Sequence, residues 1–214
     1  YYNLLEILTH IRHSEKVLNM KNLILILILM FSFQTLSKAD DISDFEIEGM
    51  SIGDSLLDHV SIQEIKIAEK NSTYYKDNKY VVIFLSKSSA IYQFIQVTYN
   101  PNDKSYILEA VEGLNDYPND METCNQSRSI IIKDIINLVK DHDIVEDEGE
   151  HEGDTFGKSN AFSTWIYPKS GGYITITCTD YSEEAKKEKG WIDQLSVVVG
   201  SEKLKQFLMN EAYN

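Results

Sequence analysis

The chain predicts an α+β fold, an antiparallel sheet or sheets covered by helices. Three observations predict it. Short segments with apolar residues at every second position are interspersed with segments where they recur every three to four. The strand-like segments come in pairs around tight-turn residues, Asn100-Pro101-Asn102-Asp103 and Pro168-Lys169-Ser170-Gly171-Gly172, so neighbouring strands run antiparallel. The order is helices, three strands, helix, three strands, helix. That repetition is consistent with two similar units, about 45–115 and 122–214, within one α+β domain at 40–214.

The elements follow in order. In "GMSIGDSLLDHVSIQEIKIAEK" (49–70), Ser51 with Asp54 and Ser61 with Glu64 have the form of capping boxes, a hydroxyl and a carboxylate satisfying the first free amides of a helix. Ile52, Leu56, Leu57 and Val60 follow the first box, and Ile62, Ile65 and Ala68 the second. Two short helices joined by a tight turn are therefore expected. Strands are expected at 79–85, 90–99 and 105–111, then a helix within 124–141 carrying the stripe Ile132, Ile135, Ile136 and Val139. An acidic, glycine-containing loop is expected at 141–160. Strands at 161–167, 172–181 and 191–201 follow, and a closing helix turns Leu204, Phe207 and Leu208 inward. Within 172–181, Ile174, Ile176 and Cys178 alternate with Tyr173, Thr175 and Thr177. Cys178 then points to the apolar face that a helix would cover, while Tyr173, Thr175 and Thr177 form an outward face suited to a ligand or simply to strand formation.

The first Met is Met20, and "MKNLILILILMFSFQTLSKADD" follows. A charged start at Lys21, an apolar run from Leu23 to Phe33 and the small-residue end Ser37-Lys38-Ala39 have the order of a secretory signal peptide. Residues 20–39 are expected to be removed by cleavage between Ala39 and Asp40. Residues 1–19 are expected to be an over-extended reading frame. The apolar run is shorter than the roughly 20 residues a spanning helix needs, so no stable membrane anchor is expected after cleavage. The protein is expected to be periplasmic or secreted.

The 214 residues carry 20 Lys and Arg against 34 Asp and Glu, a net charge of −14. Residues 1–39 hold two acidic and four basic side chains, which leaves −16 on the rest. Such acidity repels phosphates, so nucleic acid is not an expected partner. Cys124 and Cys178 are the two cysteines. In an oxidising compartment an even count favours a disulfide between them, with two free buried thiols as the alternative. The helix-covered face on which Cys178 lies makes a bond to Cys124, at the start of the central helix, geometrically sensible.

Two stretches carry candidate chemistry. Gly53-Asp54-Ser55-Leu56, with Gly113-Leu114-Asn115-Asp116, matches two short blocks of the GDSL-type serine esterases, which would make Ser55 the nucleophile. The matching Asp-x-x-His block near the C-terminus is missing; Glu148-x-x-His151 is the nearest form. In the alternative, Ser51 and Asp54 cap a helix and Ser55 faces solvent in its first turn. The second stretch, "DHDIVEDEGEHEGD" (141–154), holds eight carboxylates and two histidines and no basic residue. Asp141, Asp143, Asp147, Glu150 and His151 are its candidate ligands for a divalent cation; the alternative is a solvated loop. Trp165 and Trp191 are expected in the core. No cofactor is expected.

"IEGMSIGDSLLDHV" (47–60) resembles the opening of outer-membrane-assembly lipoproteins and β-lactamase-inhibitor-like modules. That resemblance implies a helix pair followed by an antiparallel sheet, and binding to other proteins. The stretch beyond residue 40, with "GMSIGDSLLD" and "ITCTDYSEEAKKEKGWIDQLSVVV", is similar to small exported proteins of unknown function from AT-rich marine alphaproteobacteria. The expected function is an exported, non-catalytic module that binds an envelope protein or a small ligand. An esterase using Ser55 and a cation binder through 141–154 are the alternatives.

Overall fold

The computed structural model describes residues 41–86, 89, 91–151, 153–156 and 158–212. The expected leader, with its cleavage position at Ala39 and Asp40, lies outside them. An eight-stranded antiparallel sheet organises the chain. Its strands are β3 (Thr73–Tyr74), β4 (Val81–Leu85), β5 (Phe94–Tyr99), β6 (Leu108–Asp116), β7 (His142–Glu150), β8 (Asn160–Pro168), β9 (Tyr173–Asp180) and β10 (Gln194–Gly200). They lie in the order β3-β4-β5-β6-β10-β9-β8-β7. A small hairpin, β1 (Glu46–Ile47) with β2 (Met50–Ser51), precedes the sheet.

The order has an internal symmetry. Each half is a helix followed by four strands laid down from an edge to the centre, and the last strands, β6 and β10, pair with each other. The helices are α1 (Ile62–Ala68) and α2 (Met121–Leu138). Each half thus has one strand more than its apolar pattern shows. In the first the addition is the two-residue β3. In the second it is β7, which replaces most of the expected acidic loop. Nine consecutive residues of β7 pair with β8, from His142 opposite Pro168 to Glu150 opposite Asn160. It escapes a hydrophobicity reading because it is an edge strand with acidic side chains on both faces, which deters a further strand from pairing there.

One face of the sheet is the core. Val81, Ile83, Ile95, Val97, Val111, Leu195, Val197, Ile174, Ile176 and Ile166 point to it and are buried. Helix α1 adds Ile65, and α2 covers the face with Cys124 and the half-buried Ile131, Ile132, Ile135 and Ile136, with Val139 just beyond it. Two anchors hold α2 down. Cys124 is joined to Cys178 of β9, with Cα atoms 6.1 Å apart. One turn on, Arg128 donates to Glu146 of β7 and Thr164 of β8 through Nη2, each at 2.5 Å. Among the described residues no helix is long and apolar enough to cross a membrane.

The first expected helix is corrected. Asp54 does accept from the Ser51 amide at 2.9 Å, half of the proposed box, but Ser51 ends β2 and Gly53, at φ 95°, turns the chain. The cap is Ser55, whose Oγ accepts from Leu57 at the start of a 3-10 turn, Leu56–Asp58. Only His59 and Val60 separate that turn from the Ser61–Glu64 box, which is complete and starts α1 as expected. A helix not anticipated, α3 (Glu183–Lys189), has Ser182 as its cap and Gly190 in the left-handed conformation at its end. It contains one buried residue, Ala185, and so shows no apolar stripe. The closing helix, α4 (Glu202–Asn210), buries Leu204 and Phe207 against Tyr80 and Ala110.

Candidate functional site

The opposite face of the sheet has no helix over its centre. Helix α4 covers one end with Leu204 and Leu208, and the other end is edged by the contacting rings of His151, Tyr181 and Trp191. Between them lies a concavity of about 430 Å³, lined by Gln96, Thr98, Glu112, Ser163, Trp165, Tyr173, Thr175, Thr177, Thr179, Gln194 and Ser196, among others. The strand register explains why these residues meet. Gln96 lies opposite Glu112, Glu112 opposite Val198, Val198 opposite Thr175, and Thr175 opposite Trp165. The row above runs Leu114, Ser196, Thr177, Ser163. Alternation within each strand sends all of them away from the core.

Tyr173, Thr175 and Thr177 therefore form the outward face expected of them. Trp165 and Trp191 do not sit in the core but half-buried on this face or at its rim. The strand pattern could not separate the two, because an aromatic at an alternating position suits either face. Trp165 stacks beside Tyr167 at 12° and leans on Tyr173. Gly200, opposite Tyr173, is required there, since a Cβ would meet the Tyr173 ring at 2.3 Å.

A second cavity, about 460 Å³, continues from the first through Gln96, Tyr181 and Gln194. Its walls include Phe84, Phe94, Leu114, Trp191 and Ile192, and its acid is Asp116. Phe84 and Phe94 are 53% and 46% exposed, unusual for large apolar side chains on a sheet that has a proper core elsewhere. Neither cavity has a lysine or arginine among its described lining residues.

Among the described lining residues of the hollow, Glu112 is the one acid. Ser196 Oγ donates to it at 2.5 Å, and Gln194 donates to the nearby Tyr181 hydroxyl at 3.0 Å. Burial pushes the Glu112 carboxyl above the ordinary carboxylate range, against the smaller opposing effect of Ser196. Burial alone pushes Asp116 in the same direction. It also raises the Tyr181 phenol to about 12, with the Glu112 charge adding to the effect.

Asp154 has the opposite character. It is 5% exposed and accepts from Ser159 Oγ at 2.6 Å, Phe156 N at 2.8 Å and Ser182 Oγ at 2.9 Å, tying the loop behind His151 to the cap of α3. The Ser159 bond, the largest influence, and the other donors hold its carboxyl well below the ordinary range. The two acids should leave opposite marks on stability. Asp154, lowered on folding, contributes stability that is present above the ordinary carboxylate pKa of 3.8 and is lost as pH falls below it. Glu112, raised on folding, costs stability when ionised and returns it as pH falls through the raised value. Thermal melts from pH 7 to pH 3 should therefore show Glu112→Gln more stable than the parent at pH 7. Asp154→Asn should be less stable at pH 7, with a flatter acid limb.

The residues singled out for chemistry are placed as follows. Ser55 Oγ donates to the main-chain carbonyl of Ser105 at 2.7 Å. His59 lies against Asp54, at 3.3 Å. Ser55 bridges Ile107 at the start of β6, whereas Asn115 is near its end, bonded to Gln93 N and Ile91 O. At ~3.3 Å per strand residue the two esterase-like blocks are roughly 25 Å apart, so Asn115 cannot serve an oxyanion formed at Ser55. Asp143 and Asp147 share one face of β7, about 13 Å apart on the same rise. Asp143 pairs with Lys169, and Asp141 precedes the strand, its carbonyl accepting from Lys169 N at 2.8 Å. Glu150 alternates to the other face, and His151 belongs to the aromatic rim. The extended strand holds these candidates apart, and among the described residues no three His, Cys, Asp or Glu side chains converge as a metal site.

Comparison with protein-family models, with curated proteins and with solved structures finds no match to this chain.

Proposed function

We propose that the protein is an exported, non-catalytic binding module and that the open face of the sheet is its binding surface. One observation carries the reading. The sheet has two faces, and while one is closed by α1 and α2, the other presents a hydroxyl-rich hollow between an aromatic rim and α4. Ligand pockets fix orientation and specificity with convergent polar groups, which the hollow supplies, beside apolar walls, which the adjoining cavity supplies. In the hollow Ser163 bonds to Thr177 at 2.9 Å and Ser196 donates to Glu112, neither serine being joined to a histidine base. The resemblance of residues 47–60 to protein-binding modules supports the same reading. Export rests on the apolar run at 23–33 and accords with a disulfide, which persists in oxidising compartments.

The test is a thermal-shift screen of the purified protein against amino acids, polyamines, sugars and organic acids, run beside Thr177→Arg. Thr177 is half-buried on the open face and lines the hollow, which an arginine there would fill. The expected result is at least one compound that raises the melting temperature of the parent and leaves that of Thr177→Arg unmoved. A compound that shifts both alike binds elsewhere and removes the assignment. The intact mass of the exported protein, expected to begin at Asp40, checks cleavage.

A further inference from the structure

The open face carries two carboxylates whose cavities have no lysine or arginine among their described lining residues. Glu112 and Asp116 project from the same side of β6 with Leu114 between them, about 13 Å apart at the rise of a strand. The influences on Glu112 are burial and the Ser196 hydroxyl, and that on Asp116 is burial, with no positive charge in either set. Two other buried acids are paired with cations, Glu109 with Lys203 at 2.6 Å and Asp193 with Lys186 at 2.9 Å, and a third, Asp154, is held by several hydroxyl and amide donors. Between the two carboxylates lie Leu114 and Tyr181 with the amides of Gln96 and Gln194, and Trp191, Phe84 and Phe94 wall the Asp116 end.

Charge, apolar wall, charge is the complement of a chain of methylenes with an ammonium at each end. We propose that the open face binds a linear aliphatic polyamine, one end at Asp116 and the other at Glu112, with its methylenes along Leu114 and Tyr181. This rests on the open face being the binding surface and names the ligand class. Aromatic faces such as those of Trp191 and Phe94 favour a cation over a neutral or anionic group. The hydroxyls and amides of Ser196, Gln96 and Gln194 supply acceptors for the remaining N–H groups. Two-point attachment selects for length, so a monoamine or a short diamine satisfies one carboxylate and leaves the other desolvated and unpaired.

Titration calorimetry of the purified protein with spermidine tests it, with n-butylamine as the one-charge control. The expected result is one spermidine per chain, with n-butylamine weaker by about tenfold or more, the worth of one charged hydrogen bond. Glu112→Gln and Asp116→Asn, each nearly isosteric, should each weaken spermidine by about the same factor. Asp143→Asn with Asp147→Asn, on the same side of the sheet at its edge, should leave it unchanged. Circular dichroism and melting curves establish that the variants are folded. The proposal is overturned if spermidine does not bind, if n-butylamine binds as well, or if the Glu112→Gln, Asp116→Asn double variant keeps full affinity. If spermidine fails while another compound of the screen binds and is blocked by Thr177→Arg, the polyamine falls and the binding surface stands. If no compound binds, both fall.

Discussion

Replacing Cys124 and Cys178 together by alanine is expected to lower the stability of the protein by about 4 kcal/mol, the loop-entropy value for their separation of 54 residues. For a domain of this size that is a fall of roughly 12 °C in melting temperature. The bond lies where α2 packs on β9. It fastens the first turn of α2 to β9, near the centre of the sheet, while Ile131, Ile132, Ile135 and Ile136 of α2 are only half-buried. Arg128 remains as the second anchor in the variant, through Glu146, Thr164 and the carbonyl of Ile176. Hydrogen exchange should therefore speed first at 121–127 and leave β9 and β10 protected. A melting temperature within about 3 °C of the parent would show that packing, not the cross-link, holds α2 in place.

What was legible in the residues, and what was not, divides along the two faces of the sheet. Each core strand was visible as an apolar segment, although β6 runs on to Asp116 past the expected end at 111. The disulfide, favoured by the even cysteine count, agreed with Cys178 alternating in phase with Ile174 and Ile176, which the structure buries on the helix-covered side. The elements missed were those that bury almost nothing. Strand β7 is exposed along nearly its whole length, β3 has two exposed residues, and α3 buries Ala185 alone. Hydrophobic periodicity cannot report an element whose stability comes from hydrogen bonding to a neighbour already in place. Ser182 and Gly190 were nevertheless a readable start and stop for α3.

The candidate site was half legible for a related reason. Tyr173, Thr175 and Thr177 could be assigned to the outward face from β9 alone. Glu112 could not, because in "LEAVEGLND" it looks like any charged residue on the solvated side of a strand. Its burial arises from tertiary curvature: β10 places Ser196 against it, and Tyr181 reaches it from beyond the end of β9. The local pattern behind "GDSL" is informative in the opposite sense. Ser55 serves as a cap one turn further on than Ser51, and the Asp54 carboxylate accepts from the Ser51 amide. Residues chosen for capping are the same small polar types that a nucleophile motif uses, so four letters cannot separate the two roles.

Asp193→Ala is expected to cost about 3 kcal/mol, because it strips the partners from a buried cluster rather than removing one surface contact. Asp193 is fully buried. Its Oδ1 accepts from Tyr181 N at 2.8 Å, its Oδ2 from Asn119 N at 3.0 Å and from Lys186 Nζ at 2.9 Å, and its own carbonyl accepts from Tyr117 N at 2.6 Å. One side chain thus joins the entry of α2, the end of β9, α3 and the strand-entry segment that carries Trp191 and Ile192. Adding Lys186→Met should recover part of the loss, since it removes the ammonium that Asp193→Ala leaves without its closest partner. The same change should disturb the site. Tyr181 and Trp191 pack at 4.9 Å, and both flank the hydrogen-bond hub, so their contact loosens when it goes. Tryptophan emission should shift to the red in Asp193→Ala at temperatures well below its own melting transition, while Cys124→Ala with Cys178→Ala leaves it unmoved there. An unchanged spectrum in Asp193→Ala would mean that the rim is held by ring packing alone, and that the acid serves only the fold.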